Sequence, residues 1–235
     1  DSPLGNDASC TGPAACPGAG DKGQMREAAA FDGDDLLTVS PDAALDVEAY
    51  TVAMWVKPME LYNRDQWLVR KVNGAGASMN YGVHLPAGTT TPRFQLDHKR
   101  SPTQTDVRVT LDANTALPLD RWSHVVVTYD QATLEMKLYI NGTLDASSVV
   151  AVGGSTGLRH NASDPVEIGR RLVGGLDELA ISGSPLSPRE VEALYDYQSA
   201  WFDIRQHHLV RVDADDPSVD LILDAAYLPL RDTVL

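Results

Sequence analysis

The chain has 235 residues, with 19 basic and 33 acidic side chains and a formal charge of −14. Charge of that sign repels phosphate backbones and anionic leaflets, which argues against nucleic acid as a partner. No apolar run approaches the roughly 18 residues that a membrane-spanning helix needs, so no membrane insertion is expected. At 43% hydrophobic residues with 18 Gly and 14 Pro, the composition is that of a globular, turn-rich domain rather than a disordered one.

Residues 1–27 carry little periodicity and read as an irregular lead-in. The opening Asp1-Ser2-Pro3 has no charged n-region and no apolar h-region, so a signal peptide is expected to be absent from these residues. Cys10 and Cys16 are the two cysteines of the chain and flank a Gly/Pro-containing loop. No Cys or His nearby completes a metal site. The pair reads as a small disulfide clip, two unpaired thiols being the alternative; a bridge would imply an extracellular, periplasmic or cell-surface location.

From about residue 28 to 181 short strand patterns alternate with turn signals. Leu134-Glu-Met-Lys-Leu-Tyr-Ile140 alternates without a fault, so one face is apolar and the other wet. Asn141-Gly142 follows at once, a strong signal for a two-residue hairpin into 143–150. Thr51-Val-Ala-Met-Trp-Val-Lys57 puts Val52, Met54 and Val56 on one face, and Ser123-His-Val-Val-Val-Thr-Tyr129 is apolar on most of both. Further strands are expected at 36–39, 67–72, 80–85, 93–97, 107–111, 166–168 and 176–181. Strands at that spacing predict a sandwich or barrel. Ser187-Pro-Arg-Glu190 is a capping box, and Val191, Leu194 and Tyr195 continue at helical spacing to about residue 197. Residues 201–208 read as a junction, followed by strand-like runs at 209–212 and 219–223.

Six stretches occur together in one order: Ala30-Phe-Asp-Gly-Asp-Asp35, Tyr50-Thr-Val-Ala-Met-Trp-Val-Lys-Pro58, Arg121-Trp-Ser-His-Val-Val-Val-Thr-Tyr129, Leu138-Tyr-Ile-Asn-Gly142, Gly174-Gly-Leu-Asp-Glu178 and Leu186-Ser-Pro-Arg-Glu-Val-Glu-Ala-Leu-Tyr195. Together they resemble the laminin G-like and pentraxin-like domains of the concanavalin A-like lectin/glucanase superfamily. The resemblance implies an all-β jelly-roll sandwich of two antiparallel sheets, with one short C-terminal helix, over residues 1–200. Residues 201–235 are expected to be a linker opening into an immunoglobulin-like module, or a strand packing back on the sandwich. Family members usually begin with a strand that this sequence does not contain, which leaves a sheet edge to be covered.

The resemblance also implies that the Phe-Asp-Gly loop and the late Leu-Asp-Glu strand come together, and such domains often hold calcium. Asp32, Asp34 and Asp177 are then its expected ligands, with Asp35 beside them; the other reading is that these carboxylates cap turn amides. Tyr62, Arg64 and Trp67, with Tyr81 nearby, are expected to form a ligand-binding platform, because sugar sites stack rings on amphipathic aromatic side chains. Packing at a sheet rim is the alternative for Tyr62 and Trp67. Trp55, Trp122 and His124 read as core residues.

Catalysis finds little in the pattern. Asp177 and Glu178 are sequence neighbours and would point to opposite faces, and Glu135 stands alone in its strand, so no carboxylate pair suited to glycoside cleavage is evident. Gly153-Gly-Ser-Thr-Gly157 matches Gly-x-Ser-x-Gly in letters, but loop-like residues follow where a helix is required, so it reads as a flexible turn. The expectation is a non-catalytic recognition module of a large secreted or surface protein, with carbohydrate or an extracellular protein as partner. A structural spacer is the alternative, and a polysaccharide-cleaving enzyme the third reading.

Overall fold

The computed structural model of the chain describes residues 6–12, 15–25, 27–72, 78–100, 106–151, 153, 155–160 and 163–206. The strand-like runs at 209–212 and 219–223 lie outside them. In chain order the strands are β1 (Ala8–Ser9), β2 (Gly18–Lys22), β3 (Glu27–Asp32), β4 (Leu37–Val39), β5 (Tyr50–Pro58), β6 (Gln66–Val72), β7 (Met79–Leu85), β8 (Arg93–Arg100), β9 (Val107–Asp112), β10 (Ser123–Asp130), β11 (Glu135–Ile140), β12 (Thr143–Val149), β13 (Ser155–Leu158), β14 (Val166–Ile168) and β15 (Val173–Ser182). One helix, α1 (Pro188–Gln206), follows.

The strands form two sheets. One has seven strands in the order β12-β11-β10-β5-β15-β3-β2. The other has eight, in the order β1-β4-β14-β6-β7-β8-β13, with β9 also paired to β8. Tyr50, Val52, Met54 and Val56 of β5 and Val125, Val127 and Tyr129 of β10 face inward and meet Leu68, Tyr81, Val83, Phe94 and Leu96 of the opposite sheet in one continuous core. Strand alternation produces this, since period two sends every second side chain to the same face. The fold is the expected two-sheet sandwich.

The outer face of the seven-stranded sheet is not left to solvent. Ala53, Val126 and Tyr139 form a second apolar cluster with Val191 of α1, and Leu186 and Leu194 pack against it. This explains why β10 is apolar on both faces. Trp55 is buried there, with its indole Nε1 donating to Gln198 Oε1 at 2.7 Å and its ring stacked on Tyr195 at 5.6 Å. It therefore lies beneath the helix rather than between the sheets. Trp122 is half-buried over Gly175, and its indole donates to the Lys22 carbonyl at 3.3 Å. His124 is buried between Trp55 and Tyr195, as its apolar neighbours suggested.

Local signals match closely. Ile140 pairs with Thr143 across Asn141 (φ 49°) and Gly142 (φ 77°), a two-residue hairpin whose positive angles suit Asn-Gly. The capping box closes as written: Ser187 N–H donates to Glu190 Oε2 at 2.7 Å, and Glu190 N–H to Ser187 Oγ at 3.4 Å. Cys10 and Cys16 are joined by a disulfide.

Four features depart from expectation. The lead-in contains β2, which pairs with β3 although its Gly-Ala-Gly-Asp-Lys sequence has no apolar alternation. Ser155–Leu158 is a strand on β8 rather than a flexible turn, and it carries none of the strand–turn–helix context of a nucleophile elbow. Helix α1 runs to Gln206, through residues read as a junction. Last, Glu178 (φ 50°) sits at a register shift between Asp177 and Ala180, so the simple opposite-face rule does not apply to that pair. The chain divides into two compact units, Asp1–Gln198 and Ser199–Leu235. No described helix is long and apolar enough to cross a membrane.

Candidate ligand-binding site

The expected aromatic platform does not assemble. Register explains why: Trp67 pairs with His84, while Tyr81 pairs with Lys71, so the pleat sends the two rings to opposite faces of the eight-stranded sheet. Tyr81 is 0% exposed in the inter-sheet core, 5.5 Å from Tyr50, with its hydroxyl donating to the Leu45 carbonyl. It has no ring face to offer a ligand. Burial pushes its hydroxyl far above the ordinary tyrosine value. Trp67 is on the outer face but only 9% exposed. Its ring lies 4.3 Å from His84 and beneath the Arg70 guanidinium at 5.0 Å. A Cβ on Gly82 would come within 2.9 Å of it, so the missing side chain there makes room for the indole.

Around Trp67 the outer face is laced by ion pairs between paired strands. Arg70 binds Glu167 at 2.6 Å, Arg93 donates to Asp112 at 2.8 Å, and Arg108 holds both oxygens of Asp97 at 2.9 and 3.0 Å. Bidentate guanidinium–carboxylate pairs fix both partners, so these carboxylates are structural. Burial lowers the His84 imidazole to about 4, leaving it neutral against Trp67.

Tyr62 and Arg64 lie instead on the loop between β5 and β6, where Tyr62 is half-buried and Arg64 exposed. Backbone bonds gather four loops at this end of the sandwich. Met59 N–H donates to the Val173 carbonyl (3.0 Å), Asp120 N–H to Pro58 (2.8 Å), Gly88 N–H to Tyr62 (2.8 Å) and Leu117 N–H to Thr90 (3.1 Å). Gln66 is the buried tie: its amide donates to the Glu60 carbonyl at 3.3 Å and accepts from Val173 N–H at 2.9 Å. Lys57 adds a 3.0 Å ion pair to Asp120.

This end carries the residues the sequence reading missed. Five large hydrophobic side chains are exposed among the described residues, and three of them, Met59 (45%), Leu61 (58%) and Leu119 (44%), sit on these loops. A signal for all three was present: Met59, Leu61 and Leu119 fall between strands, where no alternating face could bury them.

Two of the three carboxylates assigned to calcium, Asp32 and Asp177, accept backbone amides. Asp32 Oδ1 accepts from Asp34 N–H at 3.1 Å, and Asp35 Oδ2 accepts from Asp32 N–H at 2.9 Å. Asp177 accepts from Met25 N–H at 3.1 Å and from its neighbour Glu178 N–H at 2.9 Å. Asp32 pairs with Val173, whereas Asp177 lies beyond the last β3–β15 rung, at Leu176–Ala29. No group of three or more His, Cys, Asp or Glu among the described residues has the geometry to hold a metal ion. Calcium takes six to eight converging oxygens, and the carboxylates of Asp32, Asp34 and Asp177 do not form one cluster by themselves.

The fold is a sandwich of two antiparallel sheets with an accessible, loop-built end. A family model described as the concanavalin A-like lectin/glucanases superfamily (laminin G 3) matches residues 31–192, and the chain belongs to that family. No curated protein sequence matches the chain. Among solved structures, the binding domain of Paraclostridial Mosquitocidal Protein 1 is similar at 14% identity and TM-score 0.60, over 83% of this chain and 48% of that one. The Botulinum Neurotoxin Type G receptor binding domain is similar at 14% identity and TM-score 0.57, with the same coverage. The chain thus spans about half the length of these two domains. Domain 4 of AbnA, a GH43 extracellular arabinanase from Geobacillus stearothermophilus solved with arabinotriose, is similar at 21% identity and TM-score 0.54, over 81% of this chain and 82% of that one. At these identities the likeness is one of fold.

Proposed function

We propose that this domain is a non-catalytic recognition module of a secreted or cell-surface multidomain protein. Its ligand, a carbohydrate or an extracellular protein, is bound at the loop end around Tyr62, Arg64, Met59, Leu61 and Leu119. The observation that carries the reading is the concentration of exposed apolar side chains on loops that a rigid sandwich holds in place. The disulfide fits an oxidising compartment. The half-buried Tyr62, two residues from the exposed Arg64 on the same loop, supports the glycan form of the reading; the aliphatic Met59, Leu61 and Leu119 support the protein form.

The test is a glycan-array screen of the chain with calcium and again with chelator, alongside Tyr62→Ala and Leu61→Ser. Selective signal lost in Tyr62→Ala and kept after chelation supports a lectin-like site on these loops. Signal lost on chelation places an ion at the site, and then the amide bonds now made by Asp32 and Asp177 must rearrange. A blank array turns the reading toward a protein ligand or a spacer.

A further inference from the structure

His124 sits where the helix closes on the seven-stranded sheet. Its ring, 1% exposed, lies 5.1 Å from Trp55 of β5 and 5.9 Å from Tyr195 of α1. Neither ring nitrogen has a hydrogen-bond partner, so nothing there accepts from an imidazolium, which carries two N–H donors. The sheet side of the site is fixed. β10 has a ladder on both sides, to β5 and to β11, and the His124 N–H donates to Asn141 Oδ1 at 2.9 Å. The helix side is held by less: Val191, Leu194 and the Tyr195 ring, with Leu186 before them, and the Trp55–Gln198 hydrogen bond. That apolar cluster is separate from the core between the sheets.

The titratable and charged groups on this outer face are accounted for. Lys57 of β5 is paired with Asp120, and Lys137 of β11 with Glu135. Tyr139 of β11 is buried beside Val191. Asp177 of β15 accepts amides from Met25 and Glu178. On α1, Arg189, Glu190, Glu192 and Asp196 are exposed, and Tyr195 meets the ring itself. On β10, Tyr129 faces the core and Asp130 ends the strand. We propose that His124 and α1 form an acid-released latch: protonation of the ring frees residues 188–198 from the sheet while the two-sheet core stays folded, uncovering Ala53, Trp55, Val126 and Tyr139. A buried cation without an acceptor must reach water, and α1 is what covers that face. Burial is the one cause that lowers the covered ring to about 4. With α1 lifted the ring regains its ordinary value near 6.5, so the opened form binds the proton first as pH falls. Opening therefore stays at its basal level above pH 6.5 and rises between about 6.5 and 4. From pH 7.5 to 5 the two values give about a thirtyfold rise in the opening constant. The latch does not rest on the loop-end reading, so either proposal can fail alone.

The test is native-state hydrogen exchange of the full chain at pH 7.5 and 5 in low urea, corrected for intrinsic rates. Amides of 191–198 should exchange through an opening less sensitive to urea than that of the β5 and β10 amides, and its constant should rise about thirtyfold. His124→Phe keeps an aromatic ring and removes the proton, and should cut the rise to less than about threefold. Val191→Ala should raise opening at both pH values with the ratio kept, and His84→Phe, on the other sheet, should leave the ratio unchanged. If His124→Phe does not fold, NMR of the unaltered chain decides: His124 imidazole protonation and loss of the Trp55–Tyr195 ring contact should occur in step between pH 7.5 and 4. Three results overturn the proposal. They are α1 amides that share the protection and urea slope of β10; a ratio that survives His124→Phe or vanishes in His84→Phe; and a protonated His124 with the Trp55–Tyr195 contact intact.

Discussion

Gly169 turns the chain between β14 and β15 at φ 77°, and a Cβ placed there would collide with the Phe31 ring. Both the backbone angle and the space require glycine. Gly169→Ala should therefore cost about 3 kcal/mol, read as a drop in melting temperature, whereas Gly88→Ala, also at positive φ but with nothing near its Cβ, should cost less. Two histidines set an acid limit by a different route. Burial lowers His124 to about 4, and burial, outweighing the Asp65 charge, lowers His84 to about 4 as well. Neither His124 ring nitrogen has a hydrogen-bond partner. Because both folded values lie below the unfolded value near 6.5, the unfolded chain binds protons first as pH falls. Stability is then fully present above pH 6.5 and lost progressively between about 6.5 and 4, by up to about 3 kcal/mol for each histidine. Urea melts at pH 7.5, 6, 5 and 4 should trace that fall, and His124→Phe should flatten part of it while leaving stability at pH 7.5 within about 1 kcal/mol. A stability that rises on acidification would contradict the account.

At the scale of elements, α1 acts as a cover for a sheet face that would otherwise expose Ala53, Val126, Tyr139 and Trp55. Two bonds fix it: the Ser187 cap at its start and the buried Trp55–Gln198 contact midway along it. Ser187→Ala should destabilise by about 1 kcal/mol. Gln198→Leu strands the indole N–H away from water and should cost about 1 to 3 kcal/mol, with a change in tryptophan emission as its signature. The capping box and its apolar repeat were legible from residues 187–195 alone, as was the Asn-Gly hairpin, because each rests on neighbours a few residues apart. β2 and β13 were not legible. Gly18–Lys22 and Ser155–Leu158 have no apolar period of their own and exist as strands because β3 and β8 present edges to them.

For the whole molecule, the sandwich holds at one end a set of loops that carry three of the five exposed large hydrophobic side chains among the described residues. Gln66 ties Glu60 to Val173 through one buried amide, so Gln66→Leu should loosen the loops without unfolding the core. The measurement is faster hydrogen exchange at Met59, Gly88 and Asp120 with β5 and β10 amides unchanged. Uniform acceleration throughout would mean that the amide supports the fold rather than the loops.

What the sequence determined by itself was the class of fold, most strand positions, the hairpin, the cap and the short cysteine loop. All of these follow from side-chain period or from contacts near in sequence, which a single chain displays directly. What only the tertiary structure decided was the use of each residue. Trp67 and Tyr81 look alike as neighbouring strand aromatics, but a register shift and the pleat put one under an arginine and the other in the core. Asp32 and Asp177 resemble cation ligands in composition, but loop amides reach them first. The packing of Phe31, Val39, Val166 and Ile168 in one core is invisible in sequence because β3, β4 and β14 do not adjoin in the chain. Their side chains meet only when two sheets pack, and only register and sheet order decide where that packing stops.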